Sequence, residues 1–401
     1  MTPLARLCAL VAAAVATVVT TAVVPAAVSA QPTYQAATPA SATAPAGKIR
    51  MNQIQFMGAH NAYHREMQGA ELAQAIKMDP TYPSWGFYSH ASIADLLGRQ
   101  DVRALELDLL PDPDGGLYRY PLVRKLAGLG PIDDPAMAAP GMKVVHVADL
   151  DYNSTCRTLV TCLQQVKTWS QDHPQHVPII MQLELKQTDD RLEQGGGAVS
   201  PPWTKALLDD LDREVRSVFS ESQLISADDL RRPGLTLEQS ILKNGWPTLD
   251  WARGKVMFFF DNGGPGAIRD MYLDGHPSLE GRAVFTRGNP GDADAAITMV
   301  NDPRGANEAT IRDLVKRGYI VRTRSDEPLQ TVVDEEFSRV KTALASGAQM
   351  VTTDFPSVGM AARYDSDFVA ELPGGRVARC NPVTAPRNCH DDQLEPSTSS
   401  R

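Results

Sequence analysis

Beyond residue 24 the 401-residue sequence has no run of about 18 apolar residues, so no later segment is long enough to cross a bilayer as a helix. Positive charge is in short supply: 39 Lys and Arg stand against 48 Asp and Glu, a formal net charge of −9. Setting aside Arg6 in the first thirty residues leaves 38 against 48, or −10. That balance argues against nucleic acid as a partner and against binding anionic membranes through bulk charge, so any lipid contact must be local. Cysteine is scarce, with five in all. Cys8 lies in the first segment, and the other four fall as two close pairs, Cys156/Cys162 and Cys380/Cys389. A zinc site needs Cys or His at ligand spacing, and only His390 beside Cys389 offers that; two local disulfides are the better reading. A glycine-rich first turn is also missing, which counts against an open doubly wound sheet, because the first strand candidate ends in Gly58-Ala59-His60.

What is present begins with an export signal. Arg6 supplies a basic start, residues 7–24 are almost wholly apolar, and Val28-Ser29-Ala30 offers small residues for cleavage. The alternative, a membrane anchor, lacks a basic cluster after the apolar run. Residues 1–30 therefore read as a signal peptide and residues 31–48, rich in Pro, Ala and Thr, as a flexible leader. The expectation is a secreted chain, in which paired cysteines oxidise. Residues 49–364 are enough for one large α/β domain, and 365–401 read as a C-terminal tail clipped by the second cysteine pair. Short β-rich apolar runs fall at 54–57, 104–107, 143–145, 179–183, 256–260, 283–285, 319–321 and 350–352. Between them, residues 92–97, 159–170, 203–219, 307–317 and 334–346 repeat apolar residues three and four apart, as amphipathic helices do. Strand and helix in alternation, with eight strand candidates, predict a single-domain TIM-type (β/α)8 barrel.

Polar residues follow the strand candidates: His60-Asn61, Glu106 and Asp108, His146, Glu184 and Lys186, Asp261-Asn262, Thr286-Arg287, Arg322-Thr323-Arg324 and Thr353-Asp354. In such a barrel all those ends open on one face, the face that carries active sites. Glu106 and Asp108 are one residue apart, so both project the same way from a strand, with Leu105 and Leu107 on the other face. With Asn61 and Glu184 they form an all-oxygen set suited to a hard cation, Ca2+ or Mg2+, rather than zinc. The competing reading pairs the two carboxylates with Arg or Lys across the barrel. His60 and His146 flank the set, and two imidazoles beside a cation supply what phosphodiester cleavage needs: a base, an acid and positive charge at phosphorus. His64 and His90 read as scaffold or rim. Loop aromatics and basics (Tyr82, Trp85, Phe87 and Tyr88, then Tyr118, Arg119, Tyr120, Arg124 and Lys125) suit a bilayer interface or a small core beneath the loops.

The string Gly58-Ala59-His60-Asn61-Ala62-Tyr63-His64, then Glu106-Leu107-Asp108, then His146, then Glu184-Leu185-Lys186, resembles the calcium-dependent phosphoinositide-specific phospholipases C, particularly their small secreted bacterial branch. The likeness spans residues 49–359. It implies His60 and His146 as catalytic histidines, Asn61, Glu106, Asp108 and Glu184 as Ca2+ ligands, and Lys186 and Arg322 as phosphate or inositol contacts. The implied reaction is calcium-dependent cleavage of phosphatidylinositol or a related phosphodiester; the chain is expected to be a monomer, with peripheral membrane contact left open. The long stretch between Asp108 and His146 departs from the family's pattern. Two rival readings are a glycerophosphodiester phosphodiesterase, whose usual His-Arg-Gly opening is absent, and a surface protein that binds a polyol phosphate without turnover.

Overall fold

The computed structural model describes residues 48–327 and 329–395. The expected signal peptide, all of the expected leader except Lys48, and residues 396–401 lie outside them. The strands are β1 (Ile54–Ala59), β2 (Ala104–Leu110), β3 (Lys143–Val144), β4 (Ile179–Leu185), β5 (Leu224–Ile225), β6 (Val256–Phe260), β7 (Val284–Phe285), β8 (Ile297–Met299), β9 (Ile320–Arg324), β10 (Met350–Thr353) and β11 (Ala378–Cys380). Eight of them, in the order β7-β6-β4-β2-β1-β10-β9-β8, are parallel to their neighbours and curl into a TIM-type barrel. Among the described residues no ladder joins β7 to β8. Every residue of β1, β2, β6 and β9 is buried, which a parallel sheet requires when it is covered on both faces.

Among the described residues, the five helices of ten or more residues are α1 (Gly69–Met78), α2 (Leu159–Asp172), α3 (Lys205–Val218), α4 (Ala306–Arg317) and α5 (Phe337–Ser346). The hydroxyls of Thr158 and Thr204 cap α2 and α3 by accepting the N–H of Thr161 and Leu207, orphan donors at a helix start. α2 then buries Leu159, Cys162, Leu163 and Val166, and α3 buries Leu207, Leu208, Leu211 and Val215. Each fully buried leucine or valine contributes about 1.5 to 3 kcal/mol. Both expected disulfides form, Cys156–Cys162 and Cys380–Cys389. No helix among the described residues is long and apolar enough to cross a membrane.

The barrel differs from the sequence expectation in one strand. The run at 143–145 is not its third strand, because β3 folds back antiparallel on the end of β2, pairing Leu109 with Val144 and Leu110 with Lys143. The missing place is taken by β8, a short Ile-Thr-Met strand whose preceding Ala295 and Ala296 are buried. Hydrophobic runs of two or three residues carry too little period to report their direction or their neighbours.

The chain also stays on the barrel after residue 364. β11 pairs antiparallel with the start of β1, and Phe368, Leu372, Val377 and Leu394 are buried. Glu395 ion-pairs with Arg103, whose side chain is fully buried, and accepts the N–H of Val177 at 2.6 Å.

Candidate active site

Strand register assembles the oxygen cluster. β2 and β4 pair Glu106 with Gln182 and Asp108 with Glu184, so the carboxylates stack on the inner face near the strands' C-terminal ends. β1 comes close alongside: a Cβ on Gly58 would lie 2.7 Å from the Ala104 Cβ and 2.9 Å from Thr352, a crowding that only glycine avoids. Just past β1, Asn61 adopts φ +45°, a left-handed conformation that asparagine tolerates better than most residues. Its amide donates to the Tyr88 hydroxyl at 3.1 Å.

Glu106, Asp108 and Glu184 each offer an oxygen within 4.8 Å of the others. The Asn61 Oδ1 is buried and finds no hydrogen-bond donor among the described residues, and both Asp108 carboxylate oxygens are buried. Burial raises the Asp108 carboxyl to about 6, with Glu184 adding to it and Lys186 opposing. Burial also lifts Glu106 well above the carboxylate range, opposed by Arg322 and reinforced by Asp261, Asp108 and Glu184. A buried amide oxygen without a donor beside three crowded carboxylates suits a hard cation, and these residues fit calcium. The cross-barrel pairing weighed from sequence is present as well. Lys186 Nζ lies 2.9 Å from Glu184 and 3.2 Å from Asp108, and Arg322 donates to Glu106 at 2.8 Å.

The two histidines take up different settings. His60 Nδ1 is 2.7 Å from Asp354 Oδ1, and its Nε2 lies 3.9 Å from Glu106 and 3.3 Å from Arg324 Nη1. A guanidinium can only donate, so the His60 tautomer carries its proton on Nδ1 and leaves Nε2 as an acceptor. Burial and the Arg324 charge push the His60 imidazole down to about 3 against the pull of Asp354. His146 follows β3 in the antiparallel excursion rather than ending a barrel strand, yet it arrives at the same mouth. Its Nδ1 is 2.9 Å from Asp151 Oδ2, and its ring meets Trp85 edge-on with centroids 5.3 Å apart.

A cavity of about 440 Å³ opens between them, lined on its polar side by His60, Asn61, His146, Glu184, Lys186, Arg324 and Asp354. Trp85, Phe87, Leu329, Val332 and Phe355 form an apolar wall. Of the sequence-read residues, Glu106 and Asp108 lie behind this lining. Arg322 is buried against Glu106 and Asn301 and does not line the cavity, whereas Arg324, two residues on, does. The loop aromatics divide. Tyr82, Tyr88 and Tyr118 are buried, with Tyr82 and Tyr118 in a small core beneath the loops, while Trp85 and Phe87 are half-buried on the cavity wall. Sequence reasoning did not single out Asp151, Asp354 or Arg324 for the site. Asp354 and Arg324 were visible as polar strand ends, but Asp151 stands in a loop with no period or motif to mark it.

The chain belongs to the family of Ca2+-dependent phosphoinositide phospholipases C, whose family model matches residues 49–382. No curated protein matches the sequence. Among solved structures, a calcium-dependent phosphoinositol-specific phospholipase C from Pseudomonas sp. shares 18% identity, covering 86% of this chain and 99% of that one, with a TM-score of 0.50. A Ca2+-dependent phosphatidylinositol-specific phospholipase C from Streptomyces antibioticus shares 16%, covering 79% and 98%, with a TM-score of 0.47. A glycerophosphoryl diester phosphodiesterase from Parabacteroides distasonis shares 12%, covering 80% and 90%, with a TM-score of 0.28. At these identities the Pseudomonas likeness speaks for the fold alone.

Proposed function

We propose that this chain is a secreted phosphodiesterase that splits phosphatidylinositol into diacylglycerol and an inositol phosphate, with His60 and His146 as catalytic residues. The observation that carries the reading is the placement of two imidazoles, each tied through Nδ1 to a carboxylate, beside a cluster of three carboxylates and the donor-free Asn61 Oδ1. Calcium held by Asn61, Glu106, Asp108 and Glu184 would supply positive charge that acidifies a hydroxyl and offsets phosphoryl charge. The inositol 2-hydroxyl attacks phosphorus in line. His60 Nε2, or Glu106 beside it, takes the hydroxyl proton as the new P–O bond forms. The bond from phosphorus to the glycerol oxygen breaks, and His146 Nε2 protonates that oxygen as it leaves. The product is a cyclic inositol phosphate, which water opens in a second step. Lys186 and Arg324 line the cavity as cations for the phosphoryl oxygens, with Arg322 holding Glu106 behind them. Trp85 and Phe87 on the apolar wall suit the lipid's glycerol and the bilayer interface.

Assaying the protein on phosphatidylinositol with and without Ca2+ tests the reading. Diacylglycerol and inositol phosphate should appear only with calcium. Release of glycerol phosphate from a deacylated diester would establish the rival phosphodiesterase instead, and headgroup binding without turnover would mark an inactive binder. Secretion is supported by the two disulfides, which persist in oxidising compartments. It is tested by sequencing the N-terminus of protein recovered from the medium, which should begin near Gln31.

A further inference from the structure

We propose that Asp151 is a positioning residue for His146, and that buried His64 and Tyr82 hold the Asp151 carboxylate in place from behind. The inference rests on reading His146 as the proton donor and deepens it by assigning the network behind that donor.

One carboxylate oxygen serves both imidazoles. Asp151 Oδ2 is 2.8 Å from His64 Nε2 and 2.9 Å from His146 Nδ1, while Oδ1 accepts the Tyr82 hydroxyl at 3.0 Å. His64 and Asp151 expose no side-chain surface, whereas His146 is 20% exposed and lines the cavity. Tyr88 stacks on His64 at 4.3 Å, and the two histidine rings stand edge to face at 5.9 Å. Among the described residues no lysine or arginine lies within ion-pair distance of Asp151, whose partners are the two imidazoles and the Tyr82 hydroxyl. The other titratable groups facing the trio are Asp354 and His90 toward His64, Tyr63 and Tyr82 toward Asp151, and Asp108 toward His146.

A fully buried carboxylate persists only when it is paired and hydrogen-bonded. Burial works against both charges, yet Asp151 holds the His64 imidazole above the ordinary histidine range, and the two imidazoles hold Asp151 well below the carboxylate range. His64, Tyr82 and Asp151 form one buried hydrogen-bonded unit. That unit accepts the Nδ1–H of His146, fixes its tautomer and directs Nε2 away from Asp151. When His146 gives its Nε2 proton to the leaving oxygen, Nδ1 keeps its proton, His64 keeps its own, and Asp151 gains none.

The test compares phosphatidylinositol with an inositol phosphodiester carrying a nitrophenolate leaving group, which departs without a proton. Asp151→Asn keeps the shape of the side chain but removes its charge. It should lose about tenfold to a hundredfold on the lipid and little on the nitrophenyl ester, following the pattern of His146→Ala. His64→Gln, which removes the ring and keeps at most a weaker hydrogen bond to Asp151, should lose less but with the same leaving-group selectivity. Equal losses on both substrates would mean a structural role and overturn the inference. If His146→Ala itself loses nothing on the lipid, the reading of His146 fails and this inference with it. If only His146→Ala is selective, the inference fails alone. Should the variants not fold, imidazole nitrogen NMR of the unmodified protein decides. His146 carrying hydrogen on Nδ1 at pH 7 supports the inference, and hydrogen on Nε2 alone overturns it. Zinc titration gives a further check. Stoichiometric Zn2+ binding that is lost in His64→Gln would make the trio a metal site instead.

Discussion

Replacing His146 by alanine separates bond making from leaving-group departure. A diacylglycerol alkoxide needs a proton as it leaves, and a general acid contributes about a hundredfold to ten-thousandfold. At about 1.4 kcal/mol per tenfold, that is roughly 2.7 to 5.5 kcal/mol of barrier. The fold should survive the change. His146 is one of three partners on Asp151, and His64 and Tyr82 keep their bonds, so the cost is about one charge-assisted hydrogen bond, or 1.5 to 3 kcal/mol. Measured under saturating Ca2+, His146→Ala should therefore be crippled on phosphatidylinositol and largely recovered on the nitrophenyl ester. His60→Ala should stay slow on both, because its place beside Glu106 serves the attack on phosphorus whatever departs. Equal losses for His146→Ala on both substrates would refute its acid role. No loss on either would mean that the second catalytic histidine lies elsewhere.

The calcium ligands make a contrasting pair. Asp108→Asn removes charge from a crowded, buried carboxylate and leaves Lys186 paired with Glu184, so calorimetry should show weaker Ca2+ binding while the metal-free melting temperature holds or rises. Glu106→Gln should weaken Ca2+ binding too, but it also leaves the buried Arg322 without its carboxylate and should cost about 3 kcal/mol in denaturant melts. Unchanged calcium affinity in both would make the cluster a structural ion-pair element. Reducing agent should lower stability by about 2 to 3 kcal/mol per disulfide, given sequence separations of only 6 and 9 residues, and free thiols in protein recovered from the medium would refute the pairing in the exported chain. Glu395→Ala should cost about 3 to 5 kcal/mol in urea unfolding by stranding the buried Arg103 guanidinium; a loss under 1 kcal/mol would show that the C-terminal segment is not part of the cooperative unit.

Sequence alone determined the class of fold and the ingredients of the site. Alternating β-rich runs and 3.6-period helices specify a barrel, because a strand buried on both faces and a helix with one apolar stripe have few other ways to cover each other. The spacing of Glu106 and Asp108 put two carboxylates on one face, since the period of a strand is fixed by the backbone. Position after a strand placed His60 and Asn61 at the barrel mouth. What the sequence could not carry was partnership between distant segments. The direction of β3, the place of β8 and the return of β11 to β1 depend on hydrogen bonds between strands that are too short to show a period. The carboxylate behind each histidine was hidden for the same reason. Asp354 meets His60 across 294 residues, and Asp151 meets His146 across only five but from an irregular loop. An imidazole's tautomer and proton affinity follow from which oxygen lies within 3 Å of it, and that distance exists only once the tertiary structure has closed around the pair.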